Sequence, residues 1–226
     1  MGLRAVSGLL GVAAGGDLVG DVWPWVHAER EALVRDLDGR TAEEWERPSL
    51  CEGWTVHDVV SHLLDTALTT RLGFVLGLAR ARLDFDRQNA RGVRRQRGDS
   101  PQDTLARFRR VVGRTSTPPA PLDSRLVEAI VHGEDVRRPL GLIGDYPQAA
   151  VRRALRLQAR TPSSFGGARE LVAQVRLVAV DADVAVGTGP EVHGPVLSLL
   201  LVATGRSIAL DDLDGPGLAA LGSVVG

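Results

Sequence analysis

Disulfides cannot hold this chain together, because Cys51 is its only cysteine. A hydrophobic core must do that work, and 226 residues are enough to bury one. The missing disulfides suit a reducing compartment, so a cytoplasmic location is expected. Lysine is absent and all 27 basic residues are arginine, a bias that GC-rich codon usage accounts for. Guanidinium groups still favour carboxylates wherever one lines a pocket. The net charge of −1 excludes a chain-wide polyanion-binding role. Long apolar runs are also lacking: the longest, residues 196–203, is far short of the roughly 20 residues that span a bilayer. Residues 1–20 hold one arginine and an apolar stretch, faintly like a signal peptide, but Gly8, Gly11, Gly15 and Gly16 interrupt it. A disordered or added extension is expected there.

Apolar residues recur at helical spacing through Val22, Val26, Leu33 and Leu37, which predicts a helix over residues 21–38. Thr41 with Glu44 reads as a capping box opening a short turn. Thr55 with Asp58 reads as another, opening a helix whose stripe Val56, Val60, Leu63, Leu64, Ala67 and Leu68 carries it to about residue 82. Residues 84–99 show no steady period and are expected to form a loop or frayed helix. Ser100-Pro101 restarts a helix to about residue 113, and helices are predicted over 122–137 and 147–159. From residue 170 the pattern turns β-branched and alternating. Strands are expected near 171–180, 181–187 and 207–210, with a buried helix over 194–204 and a terminal one after residue 214. The expected organisation is a helical bundle over 21–160 and a small α+β unit over 165–226.

Glu128 and His132 stand four apart on a predicted helix, so both side chains leave one face and can close on one ion. His62 lies on the polar edge Asp58, His62, Thr66 and Thr69 of the neighbouring predicted helix and would supply a third ligand. Two histidines and a carboxylate make up a set found at catalytic zinc sites that keep one position open. A Glu and a His four apart also occur as a surface pair. Apolar neighbours such as Val60, Leu63, Ile130 and Val131 favour the metal, since an unpaired charge there would be costly. His57 is expected on another, solvent-exposed face, and His27 and His193 lack partners at metal spacing. Cys51 reads as a small core residue, with a helix-activated nucleophile as the alternative. Asp135, just beyond His132, would orient that ligand, cap the helix end or pair with Arg138. Twelve arginines between Arg71 and Arg114 face four aspartates. No recognition motif accompanies them, so a solvated face is expected and nucleic acid is not.

The stretches WPWVHAEREALVRDL, LCEGWTVHDVVSHLLD, EAIVHGEDVRRPLG and GPEVHGPVLSLLLVATGR resemble the mycothiol-dependent maleylpyruvate isomerase family, within the DinB-like metal-binding bundles. The most specific parts are GWT-x-x-D-x-x-x-H and E-x-x-x-H-G-x-D-x-x-x-P. The resemblance implies a mainly α protein, a DinB-like four-helix bundle followed by a small sterol-carrier-like α+β domain. It places the metal on His62, Glu128 and His132, the same three that spacing selects. A catalytic arginine of the second domain corresponds to Arg206 in ATGR. The implied partners are a divalent metal, expected to be zinc, mycothiol as thiol cosubstrate, and a small electrophile. The implied chemistry is cis–trans isomerisation or thiol transfer; the alternative is a metal-binding protein or regulator without catalysis. His57 departs from the pattern, standing where many relatives carry arginine.

Overall fold

The computed structural model describes residues 21–225, so the expected extension over 1–20 lies outside the described residues. Fourteen elements suffice to place the site. Helices α1 (Trp23–Leu37), α2 (Ala42–Trp45), α3 (Val56–Leu68), α4 (Arg71–Arg80), α5 (Phe85–Gln96), α6 (Pro101–Arg109), α7 (Ser124–Arg137) and α8 (Gln148–Gln158) come first. A short α9 (Arg169–Val172) leads into β1 (Arg176–Ala179), β2 (Ala185–Gly187) and β3 (Glu191–Gly194). Helices α10 (Val196–Ala203) and α11 (Leu218–Val225) close the chain. The mainly α expectation holds, with one three-stranded sheet in the order β2-β1-β3. In it Leu177 pairs with Val186 antiparallel and with Val192 in parallel.

Both capping boxes form as read: Thr41 with Glu44, and Thr55 with Asp58. Two helical expectations need correction. The helix begun at Thr55 does not run to residue 82 but stops at Leu68, because Thr70 turns out to accept from the Gly73 amide and caps a new helix. Helix α4 is apolar in sequence yet buries no residue. The turn after it holds Arg82 and Leu83 at φ of 62° and 64°, a region that side chains seldom adopt. The stretch expected as loop is helix α5, capped by Asp84. Tertiary polar contacts hold it: Arg95 and Gln96 both donate to Asp65 of α3, and Gly92 gives that carboxylate room. Likewise the strand expected over 207–210 is a 3-10 turn, Ser207–Asp212. Gly205, at φ 84°, ends α10 and folds the chain back, and Ser198 fixes the turn through Asp212. The third strand is β3, extended by a bridge between His193 and Asp214.

His57 is not exposed as expected but buried: its ring is 2.8 Å from Thr104 Oγ1 and 3.4 Å from Glu46, with Trp45 edge-on at 5.5 Å. Much of the arginine-rich segment is likewise engaged, Arg97 with Glu46 and Asp58, Arg95 with Asp65 and Arg107 with Gln96.

Two apolar clusters form the interior. One joins Leu33, Leu37, Trp45, Val60, Leu64, Phe108 and Val136 inside the bundle. The other joins Val26, Leu126, Ile130, Leu155, Leu177, Val192 and Leu199, and so crosses residues 160–165 without a break. Helix α7 contributes to both. It is the shared wall between bundle and sheet, and it carries Glu128 and His132.

A buried charge network crosses α7. Arg137, 1% exposed, donates to Glu29 at 2.5 Å, Asp36 at 2.7 Å and the Tyr146 hydroxyl at 2.7 Å; Tyr146 in turn donates to Glu134. Gly133 makes this possible, since a Cβ there would lie 2.5 Å from Glu29 Oε1. Burial, with Asp36 and Glu134 nearby, pushes Glu29 up to about 7 despite Arg137. The folded state therefore holds a proton on Glu29 that the unfolded chain releases near 4.5, so stability falls as pH rises from 4.5 to 7. Glu29→Gln removes that dependence. Relative to the variant, the wild type is expected to lose roughly 3 kcal/mol of unfolding free energy between pH 4.5 and 8 in urea titrations. Parallel profiles for the two proteins would contradict it.

Candidate metal centre

Four segments bring the site together. Helix α3 carries His62 and Thr66, α7 carries Glu128, His132 and Asp135, and the loop before α3 carries Cys51. Arg206 arrives from the turn after α10.

The two histidines expected as ligands meet. The rings of His62 and His132 lie 5.0 Å apart at a steep 80° angle, and Trp54 packs on His62 at 5.2 Å. Neither ring nitrogen of His62 has a hydrogen-bond partner among the described residues. Burial, reinforced by His132, pulls its pKa down to about 3, so the ring is neutral at ordinary pH. Glu128 Oε1 accepts from Thr66 Oγ1 at 2.9 Å and Oε2 is 2.9 Å from Arg125. Burial opposes its ionisation, but Arg125, with Arg30 and His132, outweighs burial and holds the carboxyl below its usual range.

On the other side of His132 lies a second group. Its Nδ1 is 2.8 Å from Asp135 Oδ2, and Asp135 is fully buried. Burial lowers the His132 pKa, yet Asp135 and Cys51 together overcome it and raise the ring to about 9. Asp135 is held well below the usual carboxylate range, where His132 and Arg206 outweigh its burial. Arg206 grips Asp135 with Nε at 2.9 Å and Nη2 at 2.6 Å, donates to the Thr204 carbonyl, and reaches Cys51 Sγ at 3.3 Å. Among the described residues that leaves one guanidinium N–H of the five uncommitted. Of the readings open for Asp135, orienting His132 is the one the geometry realises, while Arg138 pairs with Glu134 and Asp212.

Cys51, expected as a small core residue with a nucleophile as the alternative, is half-buried and joins this group. Its thiol donates to Asp135 at 3.0 Å and stands 3.7 Å from His132 Nδ1. Its partners His132 and Asp135 come from a helix some eighty residues away. No local spacing could have announced them.

Among the described residues, Cys51, His132 and Asp135 form a group whose donor atoms all lie within 4.8 Å, a candidate metal site. His62 and Glu128 are outside that tight set. Two features weigh against Cys51 and Asp135 as ligands. The Arg206 guanidinium already occupies the Asp135 carboxylate, and the His132 nitrogen facing them is the one Asp135 holds. The opposite side holds a second set of groups that could bind a divalent ion. It offers a neutral histidine without hydrogen-bond partners, an ionised carboxylate, and a second histidine whose far nitrogen is oriented by a buried carboxylate.

Glu128 and His132 also line a cleft of about 2030 Å³ that opens between α4, α5 and α8. No described helix is long and apolar enough to cross a membrane.

Comparison with known proteins agrees with this architecture. Two solved structures share the fold: the mycothiol-dependent maleylpyruvate isomerase, at TM-score 0.62 and 15% identity, and a histidine-to-alanine mutant of it, at 0.61 and 14%. Each alignment covers 86% of this chain and 91% of the other. Comparison with the curated proteins gave no match. A family model described as the mycothiol maleylpyruvate isomerase N-terminal domain matches residues 26–124, a span that contains His62 and ends at the first residue of α7. Over these residues the chain is similar to the mycothiol maleylpyruvate isomerase N-terminal domain, and over most of its length it shares the fold of the two solved structures.

Proposed function

We propose that this protein is a metal-dependent enzyme that uses a low-molecular-weight thiol, mycothiol by family, against a small electrophile. The observation carrying this reading is that the buried His62 ring meets the half-buried His132 ring, and that His132 and Glu128 line an open cleft. His62, Glu128 and His132 would hold the ion, zinc by donor type, and a bound ion would lower the pKa of a thiol presented to it.

The chain's own groups supply the rest. Burial keeps His62 unprotonated and available as a donor. Asp135 accepts from His132 Nδ1 and holds the ring, whose raised pKa means that a bound ion would displace the proton on the other nitrogen. Arg206 keeps Asp135 ionised and aligned, so it acts on the centre through Asp135. A substrate carboxylate reaching Arg206 has one N–H to use unless it displaces Asp135. Addition of the thiolate sulfur to a cis-alkene carbon would turn the double bond into a single bond, and rotation followed by elimination would return the trans isomer and the thiol. If elimination does not follow, the adduct remains and the reaction is thiol transfer.

The decisive measurement is turnover of maleylpyruvate by zinc-loaded protein with and without mycothiol. Thiol-dependent formation of the trans product is the expected result. Consumption of mycothiol with a stable adduct selects transfer; the absence of both isomerisation and mycothiol loss rejects maleylpyruvate as the substrate.

A metal-binding protein without catalysis is the second reading, and the tight Cys51, His132 and Asp135 group favours it. It requires metal uptake that depends on Cys51 and not on His62.

A further inference from the structure

The cleft that ends at Glu128 and His132 is built for something larger and more apolar than a small dicarboxylate. Its volume of about 2030 Å³ is well above the ~300–1,000 Å³ usual for small-molecule sites. The chain has only four phenylalanines. Phe108 is in the bundle core, and the other three, Phe74, Phe85 and Phe165, all line this cleft.

They come from the consecutive helices α4 and α5 and, far along the chain, from the 3-10 turn after α8. Their rings nevertheless meet, Phe74 with Phe85 at 6.4 Å and Phe85 with Phe165 at 6.3 Å, edge to face. Such a cluster normally closes on itself and excludes water. Here Phe85 stays 37% exposed and Phe165 68% exposed, so the cluster leaves apolar area open where it lines the cleft. Exposed aromatic area continuous with a concave polar site is a mark of ligand binding.

The same wall carries cations. Arg153, Arg156 and Arg160 follow helical spacing along and just past α8, and all three line the cleft. Arg153 is tied to Asp123 and lies over Trp25. Arg160 is exposed and stands five residues before Phe165, so it offers an anionic group a partner on the wall that holds the aromatic surface. Asp21 and Asp86 also line the cleft and set where that anion is unwelcome.

We propose that this cleft binds an amphipathic ligand, an aromatic or extended apolar body lying on Phe74, Phe85 and Phe165 with an anionic end toward Arg160, and that this is the class of electrophile presented to the metal centre. The inference rests on the thiol reading only for what reacts; the binding of the apolar body does not depend on it.

The test uses two thioether conjugates, S-(1-naphthylmethyl)-N-acetylcysteine and S-methyl-N-acetylcysteine, titrated calorimetrically into the full chain, metal-free and zinc-loaded. The naphthyl conjugate is expected to bind at least about tenfold more tightly than the methyl one in either form. Phe85→Ser and Phe165→Ser, both at exposed rings whose loss leaves the core intact, should each shrink that ratio to about threefold or less. Arg160→Glu should weaken both conjugates without changing the ratio. Equal affinity of the two conjugates, absence of binding by both, or a ratio that survives both phenylalanine substitutions overturns the proposal. So does ultracentrifugation showing that the phenylalanines hold two copies of the chain together while conjugate affinity is unchanged. Failure of the thiol reading would show separately, as no mycothiol-dependent turnover while the naphthyl preference of the metal-free protein persists.

Discussion

His62→Ala and His132→Ala are each expected to purify with little bound divalent metal, at an affinity reduced by on the order of 10²–10³. The size follows from sharing a typical protein–zinc binding free energy of about 10–16 kcal/mol among its ligands, so that each is worth roughly 3–4 kcal/mol. Both residues are needed because they come from different helices, α3 and α7, whose rings meet at 5.0 Å. Glu128→Gln should behave similarly, since the neutral amide keeps the bond from Thr66 but loses the charge that offsets the ion. Cys51→Ser separates the two candidate donor sets. His132 belongs to both, whereas His62 belongs to one and Cys51 to the other. Metal retained by Cys51→Ser and lost by His62→Ala assigns the ion to the His62 side. The reverse pattern assigns it to Cys51, His132 and Asp135. Full stoichiometric metal in folded His62→Ala and His132→Ala together would remove the His62, Glu128 and His132 centre. Elemental analysis with circular dichroism on each variant reads all these outcomes, and His57→Ala serves as a control, because its ring is engaged with Thr104 and Glu46.

What sequence spacing could show here was what lies on one element or is written into its ends. The Thr55–Asp58 box set the register of α3 and hence the face that carries His62 and Thr66. The four-residue step from Glu128 to His132 placed both on one side of α7. Even Thr66, marked only as part of a polar edge, proves to bond Glu128 at 2.9 Å. What stayed hidden depends on partners distant in the chain. Helix α5 buries only Gly92, Val93 and Gln96, so it has no apolar period to read; Asp65 on α3 supplies what its own sequence does not. Helix α4 misled for the opposite reason. Its residues continue an apolar pattern, but Thr70 caps a fresh start and turns the helix outward, where Leu72, Val75 and Leu76 remain exposed. His57 looked solvent exposed because its position on the helical wheel lay off the stripe, and a residue of α6 covers it. Arg206 and Cys51 illustrate the same limit at the site. Neither has a telling neighbour in sequence, yet they stand 3.3 Å apart, joined by Asp135.

The joint behaviour of Asp135 and Arg206 tests how the C-terminal segment reaches the metal centre. Asp135→Asn should weaken metal binding by about 10–100-fold, the range found when the carboxylate behind a ligating histidine is lost. It should also destabilise the fold. Asp135 is wholly buried and Arg206 largely so, and breaking such a pair from one side leaves a charge uncompensated, at a cost of about 3–5 kcal/mol, here toward the lower end because the Arg206 side chain remains 16% exposed. Arg206→Lys is no conservative replacement, since an ammonium cannot span both carboxylate oxygens while also reaching Thr204 and Cys51. If Arg206 acts through Asp135, the two substitutions are coupled. Removing Arg206 from the Asp135→Asn background then costs much less, in metal affinity and in urea unfolding, than removing it from the wild type. Additive losses would mean that the two residues act separately. A rise in KM confined to the Arg206 variants, with metal affinity unchanged, would then make the guanidinium a direct partner of a substrate carboxylate. Coupling with unchanged KM would make it the strut by which the turn after α10 holds His132 in place.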